Sequence, residues 1–280
     1  MKISRRKFIM TTTAFGVAGV SQNLALAKEQ SGKDPIQISV ATTTDNLVQY
    51  FKKAGYVAMP AVPMISGHPF NGGLNYDDYI AVSSQSQYVV QTSSRIEDVV
   101  KKNQKGTLPL FTALGFMQSK GNMTEHAKFI FDCLISSLGL DPKQMSITST
   151  ELIKPLLPTI SSYGIAGDQI QLRPLAEAKK AGDGSGWFAP GGHPKQVSYP
   201  TYSIEYRMPD GKRLEIAEMG ISNLSGAFGI ERITMAKNQA YISWNDYLPK
   251  FKDLVQADAQ KNHKALPIGY YEILGLPKPA

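Results

Sequence analysis

Cysteine and histidine are the side chains that most readily bind metal or attack a carbonyl, and here they are few and scattered. The single cysteine, Cys133, excludes an internal disulfide and any cysteine-based zinc site. It sits in Ala127-Lys128-Phe129-Ile130-Phe131-Asp132-Cys133-Leu134-Ile135, an apolar helical run that buries a thiol rather than activating it. The histidines, His68, His126, His193 and His263, are far apart and lack metal-ligand spacing. No metal is expected.

The first residues carry a different chemistry. Ser4-Arg5-Arg6-Lys7-Phe8-Ile9 is a twin-arginine pair, followed by a mildly apolar stretch over residues 11–20 and by Ala25-Leu26-Ala27, small residues suited to signal peptidase. The apolar run is too short and too rich in Thr and Gly to span a bilayer. The expectation is a twin-arginine signal peptide over residues 1–27, with periplasmic or secreted delivery and the twin-arginine export machinery as partner. A protein exported folded must hold its fold without disulfides, and this one has none to use. Without Lys2, Arg5, Arg6 and Lys7 the count is 26 basic to 23 acidic residues, net +3 in place of +7. That is no footprint for nucleic acid, and no membrane span is expected.

What remains, residues 28–280, reads as a single domain large enough to bury a proper core. Amphipathic periodicity predicts a helix over residues 45–54, stopped by Gly55. Strands are expected over 57–62, 79–90, 108–117, 145–150 and 169–172, with a loop over 70–75 and a short helix over 96–102. Thr124 is positioned to cap a helix reaching Leu138, with Glu125 in its first turn and Gly139 at its end. Pro155 and Pro158 break any helix over 151–162. Five glycines make 182–192 an irregular loop. Strands over 198–208 and 212–224 flank the turn Pro209-Asp210-Gly211. Helices follow over 229–237 and 244–259, the second interrupted at Pro249. This order predicts an α+β fold, a mostly antiparallel β-sheet flanked by helices.

The order of segments also resembles the class II catalytic core of alanyl-tRNA synthetases, from about residue 46 to 236. Tyr50-Phe51-Lys52-Lys53-Ala54-Gly55-Tyr56 resembles that family's Phe-Phe-x-x-x-Gly-His run, and Ser84-Gln85 its Ser-Gln-Arg. Arg95-Ile96-Glu97-Asp98-Val99 is similar to Asp-Leu-x-Asn-Val, and Phe111-Thr112-Ala113-Leu114-Gly115-Phe116 to the returning strand of motif 2. Leu138-Gly139-Leu140-Asp141-Pro142-Lys143 resembles Leu-Gly-Leu-Pro-Lys. Gly182-Asp183-Gly184 stands at Gly-Asp-Thr-Gly, and Leu214-Glu215-Ile216 at Ile-Glu-Ile-Trp-Asn. Gly229-Ile230-Glu231-Arg232-Ile233 resembles motif 3.

The resemblance implies a class II aminoacyl-tRNA synthetase-like fold with a site over the sheet. In the family, a motif-2 arginine neutralises the ATP α-phosphate where charge develops. The matching stretch here, Ser86-Gln87-Tyr88-Val89-Val90-Gln91, has no basic residue. Thr112 replaces a family glutamate, Glu218 an asparagine, and Ser225 or a neighbour the motif-3 aspartate. Arg232 is kept. Its bland alternative is a surface arginine paired with Glu231 or Asp246.

Two functions follow. In the first, the core is degenerate and binds an amino acid or nucleotide-like ligand, with Glu215, Glu218 and Asp183 toward an amine, Arg232 toward an anion, and Gly229 beside it. In the second, ATP-dependent amino-acid activation persists, with ATP and magnesium as cofactors and Arg95 and Arg232 as phosphate partners. The periplasm, essentially free of ATP and tRNA, favours the first. Trp187-Phe188 in the glycine-rich loop is a candidate lid or docking element.

Overall fold

The computed structural model describes residues 35–61, 84–94, 96–189, 198–261, 265–266 and 268–277. Two units divide after Ser39. Of the first, Met1–Ser39, only residues 35–39 are described, and they are helical. The expected leader, the loop over 70–75 and Arg95 lie outside the described residues.

The unit Val40–Ala280 is built on one sheet. Helix α1 (Pro35–Lys53) leads to β1 (Val57–Ala58) and β2 (Gln87–Ser94), then a 3₁₀ segment (Ile96–Lys101) and β3 (Leu110–Met117). Next come α2 (Met123–Phe131), β4 (Met145–Ser149), α3 (Leu157–Ser162), β5 (Ile170–Leu172), α4 (Leu175–Ala181) and β6 (Trp187–Phe188). The hairpin β7 (Tyr199–Arg207) and β8 (Arg213–Gly220) precedes β9 (Ser225–Gly229), α5 (Ile230–Asn238), α6 (Trp244–Lys261) and α7 (Ile268–Leu274). Strand order is β1-β2-β3-β9-β8-β7-β4-β5, with β6 paired to β7 off the main path. Among the described strands, only β1–β2 and β4–β5 are parallel. The architecture is α+β, a multistranded, mostly antiparallel sheet flanked by helices.

Alternation assigns the two faces. On β7, Tyr202, Ile204 and Tyr206 are buried toward the apolar core; on β3, Leu114 and Phe116; on β9, Phe228. Phe51 of α1 is fully buried at the centre of this core. Its ring lies 4.9 Å from Tyr56, 4.9 Å from Phe116, 5.1 Å from Phe129 and 6.1 Å from Phe228, mostly edge to face. Such pairs add about 1 kcal/mol each beyond area burial.

Several elements differ from expectation. Helix α2 is capped by Asn122, two residues before Thr124, because Asn122 and Glu125 hydrogen-bond reciprocally in a capping box. It then loosens into a π-turn (Asp132–Ser137), where Cys133 is fully buried. Strand β1 is only two residues long, and β2 runs to Ser94 rather than ending at residue 90. Trp187 and Phe188 form a strand inside the expected glycine loop. Helix α6 is not interrupted: it passes through Pro249, since Trp244, Tyr247, Phe251 and Val255 are buried along one face. That packing outweighs the ~3 kcal/mol a helical proline costs. Strand β9 and helices α4 and α7 had no counterpart in the sequence reading.

Candidate functional site

The face opposite the aromatic core is polar, and strand register fixes its membership. Thr201, Ser203 and Glu205 of β7 alternate with core residues, and β4 sets Ser146 beside Glu205 and Thr148 beside Ser203. On β8, Glu215 pairs with Glu205 and Glu218 with Ser203. Residues three apart in a regular strand point to opposite sides. Here the register shifts between Ile204 and Glu205, and the additional β8 residue, Ile216, is buried together with Ala217. This bulge is what puts both carboxylates on one face.

Beyond β8 the same face is nearly bare. Ala227 pairs with Glu218 and with Gly115, and Gly229 pairs with Ala113. The far wall is β2, where Gln87, Val89, Gln91 and Ser93 are all buried. On this face, termed the trough, Ala113, Gly115 and Ala227 lie between Phe111 and Met117, and about 14 Å separates the β2 backbone from the β8 backbone. One wall is acidic and the other neutral.

The acidic wall is tightly tied. Arg232, on the first turn of α5, donates through Nη1 to Glu215 Oε2 at 3.1 Å and to the Glu215 carbonyl at 3.2 Å. It therefore pairs across to β8, not with Glu231 or Asp246. Ser203 Oγ donates to Glu215 Oε1 at 2.8 Å and meets Ser185 Oγ at 3.1 Å. Glu205 accepts from Ser146 Oγ at 3.1 Å, and Arg213 lies 3.7 Å away.

The glycine-rich segment lies against this wall. The Thr201 hydroxyl donates to the Gly184 carbonyl. Gly184 has φ +89°, and a Cβ there would fall 2.0 Å from Glu218 Oε2, so the carboxylate occupies the space a side chain would need. Asp183 is clamped by Arg173, whose Nη1 donates to both carboxylate oxygens at 2.8 and 3.0 Å and to the Ser185 carbonyl at 2.9 Å. Trp187 is half-buried, with Nε1 donating to Ser198 Oγ at 2.7 Å and Lys179 Nζ 4.4 Å from its ring. It packs as part of the wall rather than standing out as an exposed loop aromatic. Burial, and then the Glu218 charge, push the Tyr199 hydroxyl well above its ordinary value, while hydrogen bonds from Ser225 and Asn223 pull it down.

Of the residues singled out by sequence, Glu215, Glu218 and Arg232 come together on the trough wall. Asp183 is nearby but holds Arg173. Gly229 ends β9 with φ −83°, and a Cβ there would make ordinary 3.5 Å contact with Arg232, so backbone geometry does not demand glycine. Glu231 faces away from the trough. It is fully buried and accepts from the Thr112 N–H at 2.8 Å and from the Tyr247 hydroxyl. Burial raises its pKa above the usual carboxylate range, against the pull of those hydrogen bonds.

Sequence reasoning missed Arg173, Ser203, Glu205 and Gln87. The alternation of Thr201, Ser203 and Glu205 with Tyr202, Ile204 and Tyr206 was a readable clue to two of them. Among the described residues, no group of three or more His, Cys, Asp and Glu is placed to hold a metal, and no helix is long and apolar enough to cross a membrane.

No known family model matches the chain, and no curated protein matches it. Solved structures do. The chain is similar to histidyl-tRNA synthetase of S. aureus, with 13% identity over 75% of this chain and 69% of that one, TM-score 0.43. It is similar to an ATP phosphoribosyltransferase regulatory subunit/histidyl-tRNA synthetase from Bacillus halodurans, with 10% identity, 82% and 88% coverage, TM-score 0.44. The aspartyl-tRNA synthetase of Entamoeba histolytica gives 13% identity, 84% and 61% coverage, TM-score 0.43. These are synthetase-fold proteins, and the likeness is one of overall fold; it gives no residue of this chain a role.

Proposed function

We propose that this chain is an exported, class II synthetase-like core of alanyl-tRNA synthetase type that binds a small molecule in the sheet trough and charges no tRNA. One observation carries the reading. Adenylate formation needs a cation over the reacting phosphate, yet the described β2 and β3 residues on the trough face are Gln87, Val89, Gln91, Ser93, Phe111, Ala113, Gly115 and Met117, none of them cationic. Arg232 is committed to Glu215. ATP and magnesium do not fit the described residues of this set: among them a triphosphate would face a neutral wall on one side and two carboxylates on the other. Losing a charge of that kind costs on the order of several kcal/mol of transition-state stabilisation. A ligand with an amine suits the acidic wall.

Arg232 supports a second reading, in which ATP-dependent amino-acid activation survives and the arginine swings from Glu215 onto a phosphate. A thermal-shift series on the full chain separates the two. It uses the twenty amino acids, AMP, ATP with magnesium and a sulfamoyl alanyl-adenylate analogue. Stabilisation by amino acids but not nucleotides supports binding without activation. Stabilisation by the analogue that Arg232→Ala removes, together with ATP–pyrophosphate exchange, replaces it. Export is tested by expression with Arg5 and Arg6 both changed to Lys, which should retain the uncleaved chain in the cytoplasm.

A further inference from the structure

The end of the β7–β8 hairpin sets two cations against each other. Strand register places Arg207 directly opposite Arg213, so both side chains leave the sheet on the same side. The turn beyond them is closed by the Met208 N–H donating to the Lys212 carbonyl. Arg207 and Arg213 are therefore the non-hydrogen-bonded kind of antiparallel pair, the closer kind, with Cα atoms about 4.5 Å apart. Like charges directly opposite on neighbouring strands oppose the pairing, and this hairpin keeps them.

The protein leaves both guanidiniums short of acceptors. Arg207 is exposed and, among the described residues, has neither a hydrogen bond nor an ion pair. Arg213 has a side chain 34% exposed and faces Glu205 at 3.7 Å, too far for a hydrogen bond. The Glu205 carboxylate already accepts from the Ser146 and Thr148 hydroxyls. The next acid along β8, Glu215, is held by Arg232. The N–H donors of two adjoining guanidiniums are thus left to solvent on an open surface, and no cavity has to form around them.

Two such forks call for one kind of partner. A carboxylate has two oxygens and one charge, and a single guanidinium satisfies it. A tetrahedral phosphoryl dianion has more oxygens and a second charge, so it can accept from both forks at once and cancel their repulsion. We infer that Arg207 and Arg213 form a surface site for a phosphoryl group, carried either by free phosphate or by an organic ester. The site lies on the hairpin end, apart from β2 and β3, and does not depend on what the trough binds.

The test is a titration of the full chain, labelled with 15N-arginine, followed through the arginine Nε–H signals. The probes are inorganic phosphate, methyl phosphate and acetate, at ionic strength held constant with chloride. Arg207→Gln and Arg213→Gln assign the two signals. Phosphate should shift both saturably with one shared Kd. Acetate should bind more weakly by about fivefold or more, and so should phosphate to either single variant, read at the remaining arginine. Lys154→Gln, an exposed lysine elsewhere, should leave the Kd within about twofold. Methyl phosphate binding as well as phosphate supports the ester as the source, and weaker methyl phosphate binding supports the free ion.

The wild-type series needs no variant to fold. Shifts that rise linearly and alike for phosphate and acetate overturn the site, as do different Kd values at the two arginines. A phosphate response confined to Arg232 also overturns it and moves the anion to the second reading above. A trough that binds none of the thermal-shift compounds, with the Arg207 and Arg213 signals still saturating, removes the trough reading and keeps this one.

Discussion

Glu231 offers the most direct test of how the molecule is held together. Its carboxylate joins three elements: the Thr112 N–H of β3, its own helix α5 and the Tyr247 hydroxyl of α6. In Glu231→Ala, both donors lose their acceptor inside the protein. Each orphaned donor costs about 1–3 kcal/mol, and the vacated volume adds to that. Relief of the buried charge offsets part of the loss. The net destabilisation should be about 3 kcal/mol, which for a domain of this size lowers the Tm by about 6–12 °C.

The informative quantity is the coupling. Tyr247→Phe alone should cost about 1–2 kcal/mol. In the double variant the two effects should overlap by about 1–2 kcal/mol, because the second change removes a bond the first has already broken. Urea denaturation of the four proteins measures this. Additivity to within about 0.5 kcal/mol would refute the shared hydrogen bond and with it the claim that Glu231 ties α6 to the sheet. The protonation sign gives a second check. Burial raises the Glu231 pKa, so the native state holds this proton more tightly than the unfolded chain does. Its contribution is therefore complete below the ordinary value of 4.5 and lost as pH rises through the raised value. Glu231→Gln should flatten that part of the stability–pH curve.

Other perturbations have equally definite outcomes. His126 is 1% exposed and burial lowers its pKa to about 4, so its contribution is present above pH 6.5 and about 3 kcal/mol is lost as pH falls to about 4; His126→Gln, followed by urea melts across that range, should remove this dependence. Gln87→Leu should stabilise the ligand-free protein by about 1–3 kcal/mol, because it removes two buried groups without partners; a lower urea midpoint would show that the amide is bonded after all. Gly184→Ala should destabilise by about 1–3 kcal/mol through its positive φ and the collision with Glu218. Adding Glu218→Ala should recover only part of that in the same melts, since the backbone strain remains.

The sheet was largely legible because its strands alternate cleanly: Tyr202, Ile204 and Tyr206 against Thr201, Ser203 and Glu205 can be read by eye. The hairpin turn and the helices over 123–138 and 230–238 carry equally local cues. What escaped was set by distant partners. Pro249 predicts a break unless one knows that Tyr247 and Phe251 are anchored on both sides of it. Asn122 outranks Thr124 only through the reciprocal bond with Glu125. Arg232 looked free to meet a phosphate or a helix neighbour, and its actual partner is Glu215, contributed by another strand. Strand β9, with two glycines in five residues, has no propensity of its own and exists because β3 and β8 hold it on either side.

The bulge at Ile216 has a consequence for descent. Because one additional residue separates the two carboxylates, the site depends on the length of the strand as well as on its letters. Deleting Ile216 or Ala217 would remove the bulge and leave the acids two residues apart, still on one face but displaced against the residues of β7 that they now meet. Related chains that keep Glu-x-x-Glu on this strand together with the bulge inherit the acidic wall. Chains that space the acids by two and have a regular strand also present two acids on one face, but shifted in register against Ser203 and Arg232. The acidic wall is therefore set by the number of residues between the acids as much as by what those residues are.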